Sequence, residues 1–265
     1  MTSVRMPALF LGHGSPMNAL EDNVYTRAWR QLGETLPRPK AIVMISAHWY
    51  IRGTGVTAMA APETIHDFGG FPQALYDVRY SAPGSAELTQ RLIDLLAPVP
   101  VTPDKESWGF DHGAWGVLIK MYPDADIPLV QLSIDSTKPA AWHMETGRKL
   151  ASLRDEGVML IASGNVVHNL RTARWHGDSS PYTWATSFND FVKDNLCWRG
   201  PVAQHPLVNY LDHEGGSLAN PTPEHYLPLL YILGAWDGTE PIVIPTDGIE
   251  MGSLSMLSVQ VGQAG

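Results

Sequence analysis

The sequence contains a single cysteine, Cys197, among 265 residues. One cysteine excludes an internal disulfide and any metal or iron–sulfur site that needs several thiolates. Basic residues are also few, with 18 Lys and Arg against 27 Asp and Glu and no basic run. The resulting net charge of −9 argues against a nucleic-acid partner.

Long apolar runs are missing as well. No segment approaches the roughly 20 apolar residues that span a bilayer. The first residues lack the apolar stretch and cleavage site of a signal peptide. We therefore expect a protein without membrane contact that works in the cytoplasm. Because no coiled-coil heptad is evident, a monomer is the default expectation.

Strand-like and helix-like segments alternate along the chain, and 44% of its residues are hydrophobic. This pattern predicts an α/β fold, in which a central mostly parallel or mixed sheet forms the middle of three layers. Without a linker, repeat or low-complexity tract, residues 1–265 are expected to form a single catalytic domain. The predicted strands are Pro7–Leu11, Ala41–Ile45, an edge strand Val56–Ala60, Ile127–Leu132, Val158–Ala162 and Leu254–Val261. The predicted helices are Glu21–Leu32, one from Gly84 to Pro98, Gly113–Met121, Pro139–Arg154, Thr183–Leu196 and Glu224–Leu233.

Three histidines follow apolar runs of the predicted sheet. His13 lies in Leu11-Gly-His-Gly-Ser15, His48 in Ile45-Ser-Ala-His-Trp49, and His168 in Ser163-Gly-Asn-Val-Val-His-Asn169. The carboxyl ends of strands in an α/β sheet meet in one crevice, where ligands and metals bind. Imidazole is a common ligand of iron, zinc and copper. The spacing therefore predicts one mononuclear metal site at the strand ends.

Two further histidines begin predicted helices. His112 lies in Phe110-Asp-His-Gly-Ala114, and His225 lies in Pro223-Glu-His-Tyr226. A single histidine in such a place is more often a hydrogen-bonding structural residue than a ligand, and the convergence of several favours a site. The other five are assigned to polar loops or an exposed helix face, and they are His66, His143, His176, His205 and His213.

Five motifs in this order make the chain resemble a known enzyme family. They are Leu-Gly-His-Gly-Ser-Pro-Met, Ile-Ser-Ala-His-Trp, Asp-His-Gly-Ala-Trp, Ala-Ser-Gly-Asn-Val-Val-His-Asn-Leu and Thr-Pro-Glu-His-Tyr-Leu-Pro-Leu. From Leu11 to about Leu230, the chain resembles the class III extradiol ring-cleavage dioxygenases, in their single-domain 4,5-DOPA branch. The resemblance implies that O2 opens a catechol ring beside its hydroxyl groups at one non-haem metal ion. The implied partners are a small aromatic diol, such as L-DOPA, and O2.

The resemblance also implies roles for individual residues. His13 and His48 match two metal-binding histidines, and the third-ligand region contains Glu224-His225, where this branch places a histidine on the metal. His168 matches an active-site histidine that is either a fourth ligand or an acid/base. The expected cofactor is one divalent ion, with Fe(II) for dioxygenase activity and Zn(II) as a plausible bound ion, because three or four imidazoles also suit zinc.

His112 is the candidate acid/base, because a helix N-terminus favours a neutral imidazole that can accept a proton near pH 7. A structural role at the start of the helix is the alternative for this residue. Two other classes of function remain open at this point. A zinc-dependent hydrolase could use the same histidines, although the chain has no His-Glu-x-x-His motif. A non-catalytic member of the fold is the other.

Overall fold

The computed structural model describes residues 5–263, and it confirms the predicted α/β class. Eight strands in this part of the chain form one mixed, mostly parallel sheet in the order β4-β3-β5-β2-β6-β1-β10-β7. These are β1 (Ala8–Gly12), β2 (Ala41–Ile51), β3 (Thr54–Thr57), β4 (Val101–Asp104), β5 (Leu129–Asp135), β6 (Val158–Gly164), β7 (Ile242–Thr246) and β10 (Ser258–Val261). A separate two-stranded sheet pairs β8 (Ile249–Glu250) with β9 (Leu254–Ser255).

The helices cover both faces of the large sheet. They are α1 (Val24–Thr35), α2 (Gln73–Tyr76), α3 (Ala86–Leu96), α4 (His112–Met121), α5 (Ala140–Leu150), α6 (Thr183–Asp194), α7 (Gly216–Ala219) and α8 (Leu227–Gly234). None of the helices within residues 5–263 combines the length and the apolar character that a membrane crossing requires.

Successive side chains of the central strands point to opposite faces, and each face has its own core. Ile42 and Met44 of β2 belong to a cluster that includes residues of α1 and α4. Val43 and Ile45 belong to the other cluster, which includes residues of α3, α5, α6 and α8. The strands are apolar on both sides because helices cover both faces, as in other parallel sheets.

The edges of the sheet differ from the prediction. The segment expected as the edge strand Val56–Ala60 forms β3, which lies between β4 and β5. The edge strands β4 and β7 were not predicted, and each contains a proline, which usually argues against a strand except at an edge. The predicted strand Leu254–Val261 is divided into β9 and β10.

The centre of the sheet positions the candidate site. Strands β2, β6 and β1 are neighbours, and both β2 and β1 run parallel to β6. Their carboxyl ends therefore meet at the same edge of the sheet, where His13 follows β1 directly. His48 was expected after the end of its strand, but β2 continues to Ile51 with a shift of register between Ile45 and Tyr50.

Candidate metal centre

The backbone around the strand ends places His13 and His225 on either side of β6. The amide of His13 donates to the carbonyl oxygen of Gly164 at 3.1 Å. The amide of Asn165 donates to the carbonyl oxygen of His225 at 2.9 Å. His225 precedes α8 rather than lying within it, so the predicted helix Glu224–Leu233 begins three residues later than expected.

His112 is brought to the same place by helix α4, of which it is the first residue. Asp111 is the N-cap, and its carboxylate accepts a hydrogen bond from the amide of Ala114 at 3.2 Å. The same carboxylate accepts from the hydroxyl of Ser46 on β2 at 2.6 Å and from the side-chain amide of Gln131 on β5. Asp111, and not His112, therefore caps the helix and fixes it to the sheet.

The five histidines selected from the sequence lie together. The ring centroids of His13 and His48 are 5.1 Å apart, and those of His48 and His112 are 3.9 Å apart. The ring of His225 lies 5.4 Å from that of His13 and 5.1 Å from that of His48. One nitrogen from each of His13, His48 and His112 falls within 4.8 Å of the others, a spacing that could hold a metal ion.

His168 adopts a different geometry from the rest of the cluster. Its ring stacks on that of His225, with centroids 3.5 Å apart and planes 3° from parallel. An imidazole nitrogen binds a metal with a lone pair that lies in the plane of the ring. Two stacked parallel rings therefore cannot both direct an in-plane lone pair at one ion without a rotation of one ring.

Hydrogen bonds determine which nitrogens of His13 and His48 face the centre of the cluster. Ser163 Oγ donates its one proton to the carbonyl oxygen of Gly113 at 2.5 Å, so it accepts from Nδ1 of His13 at 3.2 Å. Nδ1 of His48 lies 3.1 Å from Oδ2 of Asp67, which as a carboxylate can only accept. Each neutral ring therefore has a bare Nε2, and these two Nε2 atoms are 3.3 Å apart.

His225 differs from His13 and His48 because one of its ring nitrogens lacks a hydrogen-bond partner. The ring is buried, and its Nδ1 has no hydrogen-bond partner among residues 5–263. Oε1 of Glu224 is 3.5 Å from Nδ1 of His225, too long for a good hydrogen bond. A buried imidazole nitrogen without a partner is costly, and a bound ligand would satisfy it.

Burial keeps most of these rings neutral. It is the main cause that lowers the pKa of His13 and of His225 well below the ordinary value, and neighbouring histidines lower both further. Burial also lowers the pKa of His168 to about 4. Neutral imidazole is the form that binds metals, so these rings are ready to act as ligands.

Unlike the histidines above, His48 and Asp67 both favour their charged forms. Burial opposes the charged form of each, but their contacts outweigh it. The pKa of His48 is raised by hydrogen bonding to Asp67 and by the charge of Asp111. The pKa of Asp67 is held well below its usual range by hydrogen bonds from His112 and His48. The carboxylate of Asp67 is thus ionised, and it contacts two of the histidines directly.

Sequence reasoning missed two residues of the site, Asp67 and Ser163. Asp67 lies in Ile65-His-Asp-Phe-Gly-Gly70. An aspartate close to glycines is typical of an ordinary loop, so the sequence did not mark it as a site residue. Ser163 lies inside the motif quoted for His168, but its place beside β1 follows from strand pairing, and no local pattern marks it as a partner of His13.

The remaining five histidines lie outside the cluster, as expected. Two of them were placed wrongly on the surface. His143 is fully buried in α5, where its Nδ1 lies 2.9 Å from the hydroxyl of Tyr231, and His205 is also buried. The burial of His143 reflects packing of α5 against α8, which helical periodicity alone did not reveal.

Comparison with known proteins gives consistent similarities. Residues 7–259 match the family described as the catalytic LigB subunit of aromatic ring-opening dioxygenase. The chain is 80% identical over 262 residues to the 4,5-DOPA dioxygenase extradiol of Escherichia coli K12, covering 99% of this chain and 97% of that protein. It is 39% identical over 235 residues to the protein of the same name from Beta vulgaris, covering 85% of each. The crystal structure of an uncharacterized Escherichia coli K12 protein is also similar, with a TM-score of 0.89 at 76% identity, over 97% of this chain and all of that one.

Proposed function

Because this chain belongs to the LigB family of aromatic ring-opening dioxygenases, we propose that it cleaves the ring of a catechol such as DOPA with O2 at one metal ion held by His13, His48 and His225. The class of activity, an extradiol dioxygenase, follows from the family. The substrate, the metal and the residue roles are the proposal. The observation that carries the metal site is the pair of Nε2 atoms of His13 and His48, which face each other at 3.3 Å. The choice of substrate rests on the relatives named 4,5-DOPA dioxygenase extradiol.

The residues present fit a divalent ion. Two facing lone pairs repel each other, so a cation placed between them is stabilised, and the negative charge of Asp67 favours that cation further. We assign His225 as the third ligand because its buried Nδ1 has no hydrogen-bond partner among residues 5–263 and its ring lies 5.4 Å from that of His13 and 5.1 Å from that of His48. His168 would be a fourth ligand after a ring rotation, or an acid/base beside the ion. Fe(II) is the ion we expect in the active enzyme, and Zn(II) would also bind such a set of imidazoles.

A bound divalent ion would supply Lewis acidity toward the catechol hydroxyl groups and a redox centre for O2. His13, His48 and His225 would hold the ion, and His13 and His225 are buried. A base must also remove a proton from the catechol hydroxyl. We assign this role to Nε2 of His112, because burial, and then the charge of His48, lower its pKa and favour the neutral ring that can accept a proton.

An aromatic side chain borders this base. Phe68 lies edge-on to His112, with ring centroids 5.5 Å apart, and also contacts Trp115. An apolar wall of this kind suits an aromatic substrate. We further propose that residues 1–265 act as a single catalytic domain, as a monomer, in the cytoplasm. One continuous sheet with a core on each face supports the single domain.

The proposal is tested by loading the metal-free protein with Fe(II) without oxygen and then measuring O2 uptake with L-DOPA and with unsubstituted catechol. We expect uptake of one O2 per ring opened and a yellow semialdehyde product. The zinc-loaded protein is the control, and it should consume no O2 because zinc has no redox chemistry. Ester or amide hydrolysis by the zinc form, without O2 uptake by the iron form, would contradict the proposal.

A further inference from the structure

One carboxylate contacts two of the site histidines at once. Oδ2 of Asp67 lies 3.1 Å from Nδ1 of His48, and Oδ1 lies 2.9 Å from Nδ1 of His112. Oδ1 also accepts a hydrogen bond from the backbone amide of His112 at 2.9 Å. The two oxygens of Asp67 are thus divided between a proposed metal ligand and the proposed base.

The loop that carries Asp67 is anchored to α4 through other contacts. The amide of Ile65 donates to the carbonyl oxygen of Phe110 at 2.7 Å, and Nε1 of Trp115 donates to the carbonyl oxygen of Ile65 at 2.8 Å. Phe68, the next residue after Asp67, packs edge-on against Trp115. These contacts hold the carboxylate in place without help from a metal ion.

We infer that Asp67 is a positioning residue that fixes His48 and His112 in the same tautomer, with the proton on Nδ1 and a bare Nε2 directed into the site. A carboxylate accepts at both oxygens and donates at neither, so both Nδ1 atoms must carry protons. This turns the Nε2 of His48 toward the ion and leaves the Nε2 of His112 free to accept a proton. The inference rests on the proposed function for these roles, but the tautomers follow from hydrogen bonding alone.

The Asp67→Asn variant separates this role from simple packing, because the side chains have nearly the same shape. An amide has one acceptor oxygen and one donor nitrogen, so it can accept from only one of the two rings. The other ring must then offer a bare Nδ1 to the amide, which moves its proton to Nε2. If that ring is His48, metal binding is lost, and if it is His112, the base is lost.

The first measurement is the tautomer of each histidine in 15N-labelled, metal-free protein, read from long-range 1H–15N correlation spectra at a pH where the rings are neutral. The wild-type protein should show His48 and His112 protonated on Nδ1, whereas Asp67→Asn should show one of them protonated on Nε2. His112→Gln assigns the signals of the two rings. Asp77→Asn, an exposed carboxylate ten residues away, is the matched control and should leave both tautomers unchanged.

The second measurement is the affinity for Zn(II), by competition with a chelator. If His48 is the ring that changes, Asp67→Asn should bind Zn(II) about 10–100-fold more weakly than Asp77→Asn, the usual effect of losing a carboxylate behind a metal-binding histidine. If His112 is the ring that changes, the zinc affinity should stay the same and only turnover should fall. Asp67→Glu retains two acceptor oxygens and should keep both Nδ1 protons. Circular dichroism reports whether each variant is folded.

The inference is overturned if either ring of the wild-type protein carries its proton on Nε2. It is equally overturned if folded Asp67→Asn keeps both Nδ1 protons and matches the wild type in zinc affinity and turnover. The wild-type spectrum decides the matter even if Asp67→Asn does not fold. Correct tautomers in a protein that opens no catechol ring would instead contradict the proposed function and leave the role of Asp67 intact.

Discussion

Gly113, in the first turn of α4, lies directly against the ring of His48. A Cβ atom at Gly113 would come within 2.8 Å of Cδ2 of His48 and 3.0 Å of Oγ of Ser163, and it would be closer still to Oγ of Ser46. Real Cβ atoms essentially never make such contacts. The absence of a side chain at this position is therefore what lets the helix that carries His112 approach the proposed metal ligands.

We predict that Gly113→Ala weakens Zn(II) binding by at least about 10-fold, because the methyl group displaces His48 and the serine that holds His13. Overpacking should also lower the free energy of unfolding by about 1–3 kcal/mol. Gly116→Ala is the matched control in the same helix, since a Cβ there meets nothing within 4 Å. Equal zinc affinity in the two variants, measured by chelator competition, would show that the site tolerates the displacement.

A second prediction concerns the facing nitrogens of His13 and His48. Replacing either residue by Ala removes one of the two lone pairs that lie 3.3 Å apart. We expect each variant to lose metal, with an affinity lowered by more than about 100-fold, because losing a ligand costs more than losing its hydrogen-bond partner. Metal content is measured by elemental analysis after gel filtration, beside His176→Ala, whose ring lies exposed in a loop. Full metal content in both site variants would refute the assignment of these ligands.

Sequence patterns predict the position of a histidine most directly when that histidine immediately follows a strand. His13 comes immediately after β1, so the apolar run and the next polar residue were enough to place it. His48 was selected for its position near the sheet, but Ser46, the first polar residue after the apolar run, suggested that the strand had ended. The strand instead continues through a shift of register, which depends on pairing with β5 and not on local composition.

The residues that sequence reasoning missed depend on long-range contacts. Asp67 meets His112 across 45 positions of the chain, and Ser163 meets His13 across 150. Neither pairing leaves a local pattern, because a loop aspartate and a serine at a strand end are common in any protein. The edge strands β4 and β7 were missed for a related reason, since Pro103 and Pro245 argue against a strand unless its position at an edge is known.

The buried His143 gives a prediction about stability and pH. Burial lowers its pKa from 6.5 to about 4, so between these values the unfolded chain binds a proton that the folded protein does not. The free energy of unfolding should therefore be at its full value above about pH 6.5 and fall as the pH decreases towards 4. One such histidine contributes a slope of up to about 1.4 kcal/mol per pH unit.

The test compares urea unfolding at pH 7 and pH 5 for the metal-free wild type and His143→Gln. The variant should lose less stability between these pH values than the wild type, by about 2 kcal/mol. His176→Gln is the control, since its ring is exposed to solvent. An unchanged difference between pH 7 and pH 5 in His143→Gln would mean that this ring is protonated in the folded state.

The last prediction separates His112 from the ligands. One of its nitrogens lies within 4.8 Å of ligand atoms of His13 and His48, so distance alone would also allow it to bind the ion. If His112 is the base, His112→Ala should keep its metal and lose turnover by about 10²–10⁴-fold, because only a proton transfer has been removed. The acid limb of the pH profile of kcat/KM should disappear with it.

His112→Gln provides the decisive comparison. Its amide can donate a hydrogen bond but cannot take up the catechol proton, so turnover should stay low while metal content stays full. Loss of metal from both variants would make His112 a ligand. Near-normal turnover with a lower Tm would make it a structural residue at the start of α4, a result that the capping of that helix by Asp111 argues against.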